Sequence, residues 1–457
     1  MQLWIRFNDS HSWKNSPEKV PLRYYRNVKI FPRALFHTTT TFQLRGPWTT
    51  TTLYFTRNIN HANQYVQIQI AAECFQHKER KMAKVTGLSG NEIYCLSLKN
   101  YTTGELVVGN SVSSMGFLGG IAAGFKGMAG GEITQVTQAI EEGRIKAFDR
   151  MIAEAKQHGA TGVTGVTSEL KDFAGNTEFL FVGSCLHGKG FDNSHSGNFF
   201  SSAGDAQELY CHMDAGYQPI QHAFGNISYM MGMGGGIIGS LKAMARGEIN
   251  EYSDVFNATR HKALDRIVAQ AKSCNANAVV GIRTKIMVWH GTHEMLMTGT
   301  AAHNSALSAA ANSVPVTSDL TGEELWAMTA LGFAPIKLLI SASIYSLGVV
   351  GGLKSALKSF TKGEINDLTT LIHDAREVAI GRLKSEADAL SADEVVGVKT
   401  YIAALGAHLV ELLAIGTAVR KSGGVAVKTP ALPVQAIVQD KDTWIEGAFG
   451  FSLDRRE

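Results

Sequence analysis

The side chains best suited to chemistry in this sequence are cysteine–histidine pairs. Cys185 and His187 stand two apart, Cys211 and His212 are adjacent, and His290 and His293 flank Gly291. Thiolate and imidazole are soft ligands that select zinc or copper when held together. Two residues spaced by two on a strand point to the same side, which suits Cys185 and His187 as co-ligands. These six residues are the candidate metal ligands, with zinc or copper as the ion. The competing reading is packing, because cysteine also serves as a small core residue. No nucleophile with a base and an orienting group can be assembled, and His158, His261 and His373 do not occupy equivalent positions, so no enzyme activity is expected.

A second set of candidates is picked out by repetition. Gly131-Glu132-Ile133 returns as Gly247-Glu248-Ile249 and as Gly363-Glu364-Ile365, each step being 116 residues. The same step links Arg150, Arg266 and Arg382, then Arg144, Arg260 and Arg376, then Glu92, Glu208 and Glu324. It also links the glycine pairs Gly119-Gly120, Gly235-Gly236 and Gly351-Gly352; the third copy gains one residue late, so that Gly183 and Gly299 correspond to Gly416. Recurrence at this many positions is a triplicated unit. Glu132, Glu248 and Glu364 each precede a helix, where free amides and the helix dipole favour a carboxylate. Arg150, Arg266 and Arg382 lie too far along the same helix for an intra-helix pair, about five turns away. An ion pair between subunits is therefore the alternative role for these glutamates. The glycine pairs lack a P-loop ending and a dinucleotide pattern, and read as places of close packing.

The elements that must position these residues follow from the apolar pattern. The repeats span 85–187, 201–303 and 318–420, joined by polar linkers at 188–207 and 304–321 and followed by an extended tail at 421–457, expected to pack on a neighbour. Each repeat opens with a run that reads as a strand, Glu92–Leu98, Glu208–Met213 or Leu325–Thr329, and a second apolar run follows. A long helix comes next, with Thr134, Asn250 or Asn366 as its expected cap. Ile140, Ala147, Phe148, Met151 and Ala155 form its apolar stripe, matched by Phe256, Ala263, Leu264, Ile267 and Ala271 in the second copy. A strand, a turn at Gly175, Gly291 or Gly406, and a last strand complete the repeat. The expected fold class is α+β: three two-layer β-β-α-β-β sandwiches with antiparallel sheets. A repeat of this size buries a modest core and leaves apolar surface bare, so self-assembly is expected.

Residues 1–81 differ from the rest. They hold a single glycine, Gly46, and twelve Lys and Arg against four Asp and Glu. Leu53–Phe55 and Tyr65–Ile70 alternate as the strands of a small appended domain would. The preferred reading is upstream DNA translated in frame, with Met82 as the natural start, because Lys78-Glu79 can be encoded by a ribosome-binding sequence. The whole chain is 45% hydrophobic and 18% charged, which excludes disorder as its main state. Five cysteines, an odd number, fit a reducing compartment, and the expected location is cytoplasmic. A net charge of +3 gives no reason to expect nucleic acid as a partner. The uncharged stretches Leu106–Phe125 and Leu338–Leu353 are too rich in glycine and serine for spanning helices; buried interface segments are the better reading, with peripheral membrane contact as the alternative.

Asn275-Ala-Asn-Ala-Val-Val-Gly-Ile282 with Thr298-Gly-Thr-Ala-Ala302, and Ser391-Ala-Asp-Glu-Val-Val-Gly-Val398 with Gly416-Thr-Ala-Val419, resemble the YbjQ-like family of heavy-metal-binding domains. The glycine pairs, the Gly-Glu-Ile motif and the arginine-bearing helix belong to the same resemblance; Ala160-Thr-Gly-Val-Thr-Gly-Val166 departs most. The resemblance implies a dodecin-like sandwich that assembles in rings, commonly of five, and supplies no reaction. A non-enzymatic binding or assembly module is expected, and a metal-binding or metal-buffering protein is the alternative.

Overall fold

The computed structural model describes residues 40–45, 49–59, 66–76, 83–114, 131–173, 176–188, 199–230, 247–289, 292–346, 366–404 and 409–433. It divides into two bodies, Met1–Ala83 and Lys84–Glu457. In the first, strands β1 (Thr40–Arg45), β2 (Thr49–Ile59) and β3 (Val66–Gln76) form an antiparallel sheet in chain order. The alternating runs at 53–55 and 66–70 fall in β2 and β3.

The second body holds the three repeats. The first comprises α1 (Gly90–Ser97), β4 (Tyr101–Ser114), β5 (Gly131–Glu132), α2 (Thr134–Gln157), β6 (Gly162–Phe173) and β7 (Asn176–Gly188). A linker strand, β8 (Phe200–Ser201), leads into α3 (Ala206–Asp214), β9 (Gln218–Met230), β10 (Gly247–Glu248), α4 (Asn250–Ser273), β11 (Ala278–Trp289) and β12 (Thr292–His303). A second linker strand, β13 (Val316–Thr317), precedes α5 (Gly322–Ala330), β14 (Phe333–Ser346), α6 (Asn366–Ala389), β15 (Glu394–Ala404) and β16 (Leu409–Lys421). The fold class is α+β, three helix-on-sheet sandwiches whose sheets are antiparallel apart from the linker strands.

The opening run of each repeat is a helix, which corrects the strand expected there. Each of the three helices starts in a capping box: Ser89 with Glu92, Asp205 with Glu208, and Thr321 with Glu324. The cap side chain accepts from the third helical amide and the glutamate accepts from the cap amide, so two free donors are satisfied at once. In the first two repeats the β-β-α-β-β order follows that helix, with the two-residue Gly-Glu segment as its second strand. Thr134 and Asn250 are not caps but the first helical residues; Ile133 and Ile249 cap the long helices without a side-chain hydrogen bond. Helix α6 likewise begins at Asn366.

The Gly-Glu strands do not join their own sheets. Strand β5 pairs with β9 of the second repeat, Glu132 lying opposite Tyr229, and β10 pairs with β14 of the third, Glu248 lying opposite Tyr345. The linker strands run the other way. Strand β8 extends the first repeat's sheet beside β6, and β13 extends the second repeat's sheet beside β11. The resulting orders are β4-β7-β6-β8, then β13-β11-β12-β9-β5, then β10-β14-β16-β15. Consecutive repeats are therefore stitched in both directions by backbone hydrogen bonds.

Each long helix lies across the first long strand of its repeat. The crossing is so close at Gly225 that a Cβ there would stand 2.3 Å from the Ala263 carbonyl oxygen, and at Gly109 2.0 Å from that of Ala147. The short helices sit side by side, with Asp214 as a hub: it accepts from Lys99 Nζ at 2.7 Å, Trp326 Nε1 at 2.8 Å and the Thr429 hydroxyl at 2.8 Å. One residue from each repeat and one from the tail thus meet on a single carboxylate. The described part of the tail packs on its own chain, Leu432 lying against the Cys95, Tyr210 and Cys211 cluster. The glycine pairs, the turns at Gly175, Gly291 and Gly406, and the later parts of the two uncharged stretches lie outside the described residues; the earlier parts of those stretches are β4 and β14.

Gly225→Val should force α4 off β9. The expected loss is about 3 kcal/mol of unfolding free energy, measured by urea titration; an unchanged midpoint would show that the helix can lift without cost.

Candidate functional site

The strongest concentration of buried charge lies where one repeat meets the next. Arg144 on α2 is completely buried and its Nη2 donates to both carboxylate oxygens of Glu294 on β12 at 3.0 Å. One repeat further on, Arg260 on α4 repeats the arrangement with Glu411 on β16, donating through Nε at 2.8 Å and through Nη2. Arg260 also donates to the Tyr229 hydroxyl at 3.3 Å and lies over the ring of Phe256. The guanidinium would lose protons on burial alone; Glu411 and Tyr229 more than offset this and raise its pKa. Each pair joins a helix to the sheet of the following repeat.

The repeated glutamates lie beside the same junctions. Glu132 on β5 accepts from Arg266 and, at 3.1 Å, from Lys262, both on α4 of the next repeat. Burial pushes its carboxyl up, but Arg266 and Lys262 hold it below its ordinary value. Glu248 on β10 pairs with Arg382 on α6 at 2.7 Å. In both cases the partner belongs to the following repeat of the same chain. Arg266 and Arg382 also donate to the carbonyls of Asn226 and Ala342, and Arg150 donates to the equivalent carbonyl of Asn110. Glu364 lies outside the described residues.

The proposed metal ligands are dispersed. Cys185 and His187 do share a side, since a Cβ on Gly104 would approach both of them within 2.6 Å. Burial, with Glu105 and Glu154 nearby, pushes the Cys185 thiol up to about 11, which disfavours the thiolate a soft metal needs. His187 Nδ1 lies 3.2 Å from the Gly159 carbonyl oxygen. Cys211 packs with Tyr210 and with Cys95, its counterpart 116 residues earlier, which the sequence reading passes over. His212 is buried on the same helix, where the first repeat has Leu96. His293 stacks on Tyr229 at 5.4 Å beside the Arg260–Glu411 pair, and His290 lies outside the described residues. Among the described residues, no three or more His, Cys, Asp or Glu are grouped to share a metal. A closed zinc site needs four ligands, and among the described residues the Cys–His pairs supply only two in any one place.

The sequence reading also passes over His222, which sits at the first junction where the other repeats carry Leu106 and Leu338. It is completely buried among Phe148, Phe181 and Phe224, and neither ring nitrogen has a hydrogen-bond partner among the described residues. Burial, then the Arg144 charge, drives its pKa down to about 3; burial and Arg283 bring His212 down to about 4. Both values lie below the ordinary 6.5. The unfolded chain therefore takes up protons that the folded chain refuses, and stability falls as pH drops from about 6.5 toward those values.

Replacing His222 with Leu, as in the sister repeats, should flatten this decline by about 1.1 kcal/mol per pH unit on average between pH 6.5 and 5. Urea titrations at the two pH values check it, and an unaltered slope would show that His222 protonates freely in the folded state. Arg260→Met should cost about 3–5 kcal/mol, because it leaves Glu411 buried without a counter-charge. Adding Glu411→Leu should recover most of that loss.

Among the described residues no helix is long and apolar enough to cross a membrane. An encapsulin nanocompartment protein of Mycobacterium tuberculosis is 29% identical over 250 residues, covering 52% of this chain and 92% of that one. A UPF0145 protein of Clostridium perfringens is 34% identical over 89 residues, which is 19% of this chain and 84% of the relative. A UPF0145 protein of Acinetobacter baylyi is 37% identical over 78 residues, 17% of this chain and 72% of the relative. No solved structure matches the chain. Residues 96–186, 217–305 and 334–422 each match the YbjQ family, described as "Putative heavy-metal-binding", and these segments make up more than half of the sequence. With three consecutive copies of that domain, the chain belongs to the YbjQ family.

Proposed function

We propose that this protein is a non-enzymatic assembly module of the cytoplasm, whose triple-repeat chains associate with one another into a ring or shell. The observation that carries the reading is the placement of the buried charge. Arg144–Glu294 and Arg260–Glu411 lie between repeats rather than in an open cleft. Such pairs hold surfaces in register and are poorly placed to meet a substrate. Burial also raises the thiols of Cys95, Cys185 and Cys274, which suits packing and not nucleophilic attack. The likeness to an encapsulin nanocompartment protein supports an assembly of many copies. The ligand or cargo served by the assembly would be met by a surface repeated many times over.

Native mass measurement of the purified full chain, combined with elemental analysis, tests this. A multimer without stoichiometric metal is expected. A chain that stays single at all concentrations overturns the reading. One or more zinc or copper ions per chain, lost on Cys185→Ala, would instead support the metal-binding alternative.

A further inference from the structure

The two junctions inside the chain are built by one rule, and the rule leaves an unmatched surface at each end. In the first repeat Leu106, Val108 and Val112 on β4 are 37%, 44% and 54% exposed. Their counterparts His222, Phe224 and Ser228, and Leu338, Ile340 and Ile344, are at most 5% exposed, because the preceding repeat covers them. At the other end, Ile380 on α6 and Val398 on β15 are 40% and 45% exposed. The residues equivalent to them, Phe148 and Val166 and then Leu264 and Ile282, are at most 8% exposed beneath the following repeat. Phe148, for example, meets the His222 ring at 5.7 Å. Beside Ile380 and Val398 lies a groove of about 320 Å³, also lined by Leu383 and Val395.

The charges and backbone follow the same pattern. Arg376 is exposed, although Arg144 and Arg260 at the same position are completely buried against glutamates. Glu178, the equivalent of Glu294 and Glu411, is only half-buried. Among the described residues, strand β4 has no Gly-Glu strand on its outer edge, unlike β9 and β14, and strand β15 has no linker strand beside it, unlike β6 and β11. The segment that would supply one, at Val85, is 71% exposed, whereas its counterparts Ser201 and Thr317 are 2% exposed.

We propose that chains associate head to tail, the α6–β15 face of one docking on the β4 edge of a second copy, with Arg376 of the first pairing with Glu178 of the second. The occupant is a second copy because both surfaces continue an interface that this chain already makes twice, with complementary charge and complementary apolar faces. The contact is heterologous, so it closes into a ring or extends as a filament according to the rotation per repeat. This rests on the assembly reading and names its interface.

Sedimentation of the full chain and three variants tests the assignment. Arg376→Glu should raise the dissociation constant between chains about 100-fold or more, because the introduced carboxylate would face that of Glu178 across a desolvated contact. Val112→Asp should do the same without changing the circular dichroism, since Val112 is exposed in the single chain. Adding Glu178→Arg to Arg376→Glu should restore association by exchanging the charges. Multimers that survive both Arg376→Glu and Val112→Asp overturn the head-to-tail interface while leaving the assembly reading intact. A double variant that remains dissociated overturns the Arg376–Glu178 pairing. A wild-type chain that never associates overturns the assembly reading and this interface together.

Discussion

A guanidinium with no access to water must be neutralised where it lies, and in this protein the neutralising carboxylate always comes from the next repeat. Arg144 and Arg260 sit on the long helices, but neither finds its counter-charge within its own sandwich. Removing one partner while the repeats stay together would strand a charge in an apolar setting, a cost larger than most single contacts. The aromatic residues around His222 and the Gly-Glu strands pack about these pairs. The repeats thus act as one folded block in which the junctions are as much core as the sandwiches are. The second repeat's cluster of buried apolar residues accordingly includes Leu338, Ile340 and Leu413 of the third.

Much of this architecture is legible in the sequence, and the failures have identifiable causes. The 116-residue step, the stripe from Ile140 to Ala155 and the positions of the hairpins come directly from spacing, because a helix face and a strand pair impose strict periods. The opening run misleads because Glu92-Ile-Tyr-Cys-Leu96 is short, apolar and rich in strand-forming types, and periodicity cannot separate helix from strand at that length. The deciding signal is the cap: Ser89, Asp205 and Thr321 each stand three residues before the recurring glutamate. The recurrence of Arg144 and Arg260 is visible, but their partners lie 150 and 151 residues away, and only the fold brings them together. The equivalence of Glu178, Glu294 and Glu411 is there to be read once the extra residue of the third copy is allowed for.

The copies have diverged where sameness would be harmful. A chain of identical repeats could pair in the wrong order, and several features here occur once. Asp214 gathers Lys99, Trp326 and Thr429 onto one carboxylate, a role its counterparts Leu98 and Ala330 cannot take. His222 gives the first junction an imidazole where the second has Leu338. Gly109 and Gly225 let their helices touch the strand, whereas Ser341 holds the equivalent place in the third repeat and its buried hydroxyl has no partner among the described residues. These differences make the two junctions chemically distinct while leaving the buried arginine–glutamate pairing common to both.

Covalent linkage through residues 188–207 and 304–321 alters the arithmetic of such a system. In the proposed head-to-tail assembly, two of every three junctions would form within a molecule, at an effective concentration set by the tether, and only the remaining one would depend on how much protein is present. That contact could then be weaker than the other two without loosening the chain itself. It would also quantise the product: a closed circle made of whole chains must contain a multiple of three domains, so a circle of five domains would be arithmetically closed to it.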